Sequence, residues 1–153
     1  MRALVVYESV FGSTRAVAEA IGDGLAATDR LEVQVVGVSS APAAPDVQLL
    51  VVGGPVRGWV VSGAASGLRA YLVALPTRPK GTFAASFDTA AKSKWFPVVS
   101  AGKAGGYELT RAGYWIVVPP EHFLVEDALG TLARGEVDRA RGWGARLAGI
   151  TGM

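Results

Sequence analysis

Leu49-Leu50-Val51-Val52 is an apolar run with no polar alternation, and it stops at Gly53-Gly54-Pro55. A run of this kind describes a strand covered on both faces, which is the signature of a parallel sheet. Ala3 to Tyr7 is a second short apolar run with the same reading. From Thr14 onward, Val17, Ile21 and Leu25 recur at four-residue spacing with Ala18 and Ala20 beside them, while Arg15, Glu19 and Asp23 are left for solvent. That spacing predicts an amphipathic helix. Parallel strands need crossovers, and the crossovers must be right-handed.

The rest of the chain repeats this alternation. Leu31 to Val36 reads as a strand, Ser39 to Asp46 as an irregular link, and Ala64 to Leu75 as a helix closed by Pro76. Thr82 to Phe87 reads as the next strand and Val98 to Ala112 as a helix weakened by Gly102, Gly105 and Gly106. Tyr114 to Val118 makes a fifth strand. Thr131 to Ala148 makes a last helix with Val137, Ala140, Gly144 and Leu147 on one face and Glu136, Arg139 and Arg146 around it. Five strands alternating with helices imply a doubly wound α/β domain with a parallel sheet and helices on both faces. A chain of 153 residues, half of them apolar, supports one such core, so a single domain over 1–153 is expected.

Composition narrows the chemistry. The chain has no cysteine, so disulfides, thiolate metal sites and thiol redox chemistry are excluded, and a redox role requires a bound cofactor. The formal net charge is +2, with eight basic residues against Asp88 and Glu108 between Arg57 and Arg111. Those basic residues are spread over several elements and lack interleaved aromatics, so nucleic acid is not an expected partner. The apolar stretch before Glu8 is too short for a signal peptide and no run reaches membrane-spanning length, so a cytoplasmic location away from the membrane is expected.

The turn after the first strand reads Ser9-Val10-Phe11-Gly12-Ser13-Thr14. Three hydroxyls and a glycine at a helix start offer a phosphate unpaired N–H groups and the positive end of the helix dipole, without a lysine. The same hydroxyls are also ordinary helix caps, and the residues alone leave both readings open. The loop has neither a Walker lysine nor the dinucleotide glycine spacing, which disfavours ATP and NAD there. Arg15, second in an amphipathic helix, reads as a solvated charge.

The run Val5 to Ile21 resembles the flavodoxin signature: an aliphatic pair, Tyr7, Ser9, Gly12, Thr14, Ala18 and Ile21 stand in its constrained positions. The order of strands and helices extends the resemblance over the whole chain, in the short form without an obvious insertion in strand five. The resemblance implies a flavodoxin-like sheet of order 2-1-3-4-5, an order that is the standing example for this fold, with FMN at the switch point. It also implies that Ser9, Val10, Phe11, Gly12, Ser13 and Thr14 wrap the FMN phosphate. Pro55, Val56, Arg57, Gly58 and Trp59 would then form a second loop, with Trp59 stacked on the ring. Phe87, Asp88 and Thr89 would end strand four and meet the pyrimidine edge, with Trp95 as a further ring contact.

The chain departs from classical electron-carrying flavodoxins in that third loop, where Lys92 and Lys94 replace acidic residues. Arg57, Lys92, Lys94 and Lys103 around the flavin rim would stabilise an anionic reduced ring, so a reduction potential less negative than in the acidic carriers is expected. His122, the only histidine, reads as an ordinary loop residue after strand five; it makes neither a metal site nor a triad. Two functions stay open. One is an FMN-binding redox protein that passes electrons to a partner protein or reduces a small acceptor such as a quinone. The other is a domain of the same fold that serves interaction or regulation and has lost flavin binding.

Overall fold

The computed structural model describes residues 1–9, 12–55, 67–78, 81–91, 98–126 and 131–153, with the backbone alone for 98–104. The elements are β1 (Arg2–Tyr7), α1 (Ser13–Ala26), β2 (Glu32–Gly37), a 3-10 turn (Val38–Ser40), β3 (Leu49–Pro55) and α2 (Gly67–Val73). There follow β4 (Phe83–Ala91), α3 (Val98–Arg111), β5 (Trp115–Ile116), β6 (Glu121–Val125) and α4 (Glu136–Thr151). The sheet order is β2-β1-β3-β4-β5, all neighbours are parallel, and β6 also pairs with β4. The expected doubly wound order 2-1-3-4-5 is therefore present.

Pleating explains the two cores. Successive strand residues face opposite sides, so Ala3, Val5, Leu49, Val51, Ala85 and Phe87 meet α1 and α4, where Val17, Ile21, Leu25, Ala140 and Leu147 are buried. Leu4, Val6, Leu50, Val52 and Ala84 face the other way, onto Leu68, Leu72 and Leu109. At Gly24 and Gly144 the α1 and α4 backbones come so close that a Cβ would lie 2.0 Å from the Arg141 carbonyl oxygen and 2.2 Å from that of Ile21.

Several boundaries differ from the sequence reading. β3 does not stop at Gly53-Gly54-Pro55 but runs through it: Gly53, Gly54 and Pro55 pair with Phe87, Asp88 and Thr89. The glycines make room, since a Cβ at Gly53 would sit 2.2 Å from the Phe87 ring. Pro55 fits because β1 has already ended at Tyr7, opposite Gly53, so no β1 carbonyl lacks the N–H that proline has lost. β4 likewise continues past Phe87 to Ala91. The fifth strand is split: Pro119-Pro120 separates β5, which pairs with Phe83 and Ala84, from β6, which pairs with Phe87 to Ala91. α4 begins at Glu136, not Thr131. Its buried face carries Trp143 with Ala140, Gly144 and Leu147, while Val137 is exposed.

Candidate functional site

The carboxyl ends of β1, β3 and β4 converge on the start of α1. After Tyr7 the chain stays beside β3, because the Glu8 N–H donates to the Gly53 carbonyl at 3.0 Å. Gly12 then turns it into the helix with φ +89°, a left-handed conformation suited to glycine. Ser9 Oγ accepts from the Gly12 N–H at 3.0 Å and from the Arg15 N–H at 3.4 Å. Arg15 itself is exposed, its Nε 2.9 Å from Glu19, as an amphipathic helix requires.

Thr14 is buried, and its hydroxyl lies 2.9 Å from that of Thr89. The two hydroxyls that the resemblance assigns to the phosphate, on Ser9 and Thr14, thus have partners within the chain. The Ser9 hydroxyl only accepts in these bonds, so its O–H can still donate to an anion beside the N–H groups of the helix start. The first turn of α1 carries no acidic residue. Among the described residues nothing accepts from the Ser13 and Thr14 N–H groups. The nearby Glu8 carboxylate is held elsewhere, accepting from the N–H groups of Gly67 and Leu68 at 3.1 and 3.2 Å. N–H donors without an acceptor among the described residues, a favourable dipole and a first turn without a carboxylate fit a phosphate monoester.

Phe87 is a strand residue as expected, and Asp88 and Thr89 also lie inside β4, which does not end with them but runs on to Ala91. Phe87 is a core side chain, 1% exposed, in edge-to-face contact with Phe123 and Trp143 at centroid distances of 6.1 and 6.4 Å. Asp88 faces the α2 and α3 side and is fully buried, with both carboxylate oxygens 2.8 Å from His122 Nδ1. Burial pushes the Asp88 carboxyl up to about 6, against the smaller opposing pull of the His122 hydrogen bond. Pro55 ends β3 beside Thr89. Val10, Phe11, Val56, Arg57, Gly58, Trp59 and Trp95 lie outside the described residues, as do Lys92, Lys94 and the side chain of Lys103.

His122 is the residue the sequence reading undervalued. It stands in β6 opposite Asp88, and its carbonyl accepts from Arg139 on α4. Arg139 also bonds Glu121 at 2.7 Å and Glu136 at 2.8 Å, and its guanidinium lies 4.4 Å from the Phe123 ring centroid. Arg139 holds the Glu136 carboxyl below its ordinary range. This network fixes the β6 edge to α4. The short apolar run Phe123-Leu124-Val125 was the available signal for β6, and Pro119-Pro120 masked it.

No protein-family model matches the chain, and no curated protein matches it in sequence. Solved structures do match it in shape. Flavodoxin 1 from Bacillus cereus superposes with a TM-score of 0.75 at 16% identity, covering 97% of this chain and 98% of that one. A flavodoxin from the domain Archaea gives 0.67 at 20% identity with complete coverage of both chains. A short-chain flavodoxin associated with a non-canonical PDU bacterial microcompartment gives 0.70 at 18% identity, with 97% and 99% covered. With its sheet order, its α1 start and its full-length superposition on these structures, the chain has the fold of the flavodoxins.

Proposed function

We propose that the chain binds FMN at the carboxyl edge of its sheet and works in the cytoplasm as an electron-transfer flavoprotein or small oxidoreductase. It would serve a redox partner protein or a small acceptor such as a quinone. The observation that carries this reading is the start of α1. A left-handed Gly12, Ser13 and Thr14 N–H groups that no described residue accepts, and a first turn without a carboxylate stand where the β1 and β3 crossovers part, the place at which open α/β sheets bind ligands. Ser9, Val10, Phe11, Gly12, Ser13 and Thr14 would hold the phosphate. Pro55 to Trp59, Thr89 and Trp95 would border the ring. Bound FMN supplies a ring that accepts and passes on electrons, while the protein positions and tunes it.

No described helix is long and apolar enough to cross a membrane. The reading is tested by the visible absorption spectrum of the purified protein with added FMN, followed by steady-state turnover with NAD(P)H and a quinone. Bound-flavin bands with turnover identify a reductase, and bound-flavin bands without turnover a carrier. The absence of bound flavin leaves the second reading, an interaction domain without cofactor. That reading has one observation in its favour: the Thr14 hydroxyl is buried against that of Thr89.

A further inference from the structure

The Asp88 and His122 pair lies at the level of Gly54 across three neighbouring strands, one residue before Thr89, whose hydroxyl meets Thr14 of the α1 start. Asp88 is fully buried, whereas the His122 side chain is 39% exposed. With the carboxylate ionised, Nδ1–H donates to it. This fixes the tautomer and leaves Nε2 as the proton-accepting nitrogen, for which no described residue supplies a partner. An imidazole oriented by a buried carboxylate, with its other nitrogen free, is suited to taking up a proton when negative charge appears nearby.

We propose that His122, positioned by Asp88, takes up a proton at Nε2 when a flavin at the adjacent sheet edge is reduced. This rests on the FMN reading above. With a reduced nicotinamide or dithionite supplying two electrons to the ring, one proton binds the ring, from the nicotinamide hydride or from solvent, and a second, from solvent, binds His122, leaving an imidazolium against the Asp88 carboxylate. Two strand spacings separate His122 from β3, roughly 10 Å, and a unit charge at that distance in a protein edge moves a titration by about one pH unit.

The charges of the described residues around the pair are these, beside Arg69 of α2. Glu121 is neutralised by Arg139 at 2.7 Å and lies 3.8 Å from Arg146. Arg139 pairs also with Glu136. Glu108 of α3 pairs with Arg111. Glu8 caps α2, and β3 brings only Gly53, Gly54 and Pro55 to this level.

Because His122 is the only histidine, its imidazole Cε1–H resonance needs no assignment. The test is an NMR titration of that resonance in the FMN-loaded protein, oxidised and after full reduction with dithionite, with FMN binding established separately by fluorescence quenching. The expected result is a midpoint about one pH unit higher in the reduced protein, and a lower midpoint in both states for Asp88→Asn. FMN binding with an unmoved midpoint overturns the proton uptake and leaves the flavin reading intact. An Asp88→Asn midpoint equal to wild type overturns the positioning role, and failure to bind FMN removes both readings together.

Discussion

The hydroxyls of Thr14 and Thr89 lie 2.9 Å apart in a buried site, joining the first turn of α1 to the end of β4. Among the described residues neither has another side-chain hydrogen-bond partner, so the bond ties the start of α1 to β4 as one unit. Replacing either threonine by valine strands the other hydroxyl, at a cost of about 1–3 kcal/mol. Replacing both removes the polar pair and recovers part of that loss. Urea denaturation of the two single variants and the double variant checks this; simple additivity contradicts it.

Asp88 shapes stability against pH in the direction opposite to most acidic side chains. Its folded value of about 6 lies above the ordinary 3.8, so between those values the folded state holds a proton that the unfolded state has released. The stabilisation is complete below 3.8, falls as pH rises towards 6 and is absent above it. Relative to Asp88→Asn, wild type should gain up to roughly 2–3 kcal/mol between pH 7 and pH 4. Denaturation midpoints over that range read the difference, and parallel profiles would count against the buried carboxylate as its source.

Gly53 and Phe87 face each other across β3 and β4. A Cβ at Gly53 would penetrate the ring at 2.2 Å, and the ring is held by Phe123 and Trp143. Gly53→Ala should therefore lose about 1–3 kcal/mol. Adding Phe87→Leu should recover part of that loss by clearing the ring, and thermal unfolding of the pair reports it.

Glu8 accepts from the first two N–H groups of α2. Glu8→Ala removes that cap and should cost about 1 kcal/mol. The loss should be read as faster amide hydrogen exchange confined to the start of α2, while Leu109 and the rest of α3 stay protected.

How much of this was legible in the sequence depends on whether the deciding contact is local. β1, α1 and the apolar part of β3 follow from short-range pattern, and the residues proposed to hold the phosphate stand where that pattern ends. The end of β4 was not legible, because a charged Asp88 within a strand looks like a terminus unless its partner is known. That partner, His122, is 34 residues away. β6 was hidden for a related reason: Pro119-Pro120 reads as a stop, yet β4 is long enough to pair with strand segments on both sides of it. Gly53-Gly54 reads as a breaker when its function is to admit Phe87 and Leu68 from neighbouring elements. The exposure of Val137 and burial of Trp143 are set by where α4 meets Phe87 and Phe123, which helical spacing alone does not specify.

The central claim is that the start of α1 holds the phosphate of a flavin mononucleotide. A fluorescence titration with FMN, run beside riboflavin, which has the same ring and no phosphate, tests it most directly. The account predicts quenching by stoichiometric FMN and binding of riboflavin weaker by at least about tenfold, a difference of roughly 1.4 kcal/mol assignable to the phosphate. Equal affinity for the two, or FMN left fully fluorescent, would contradict it.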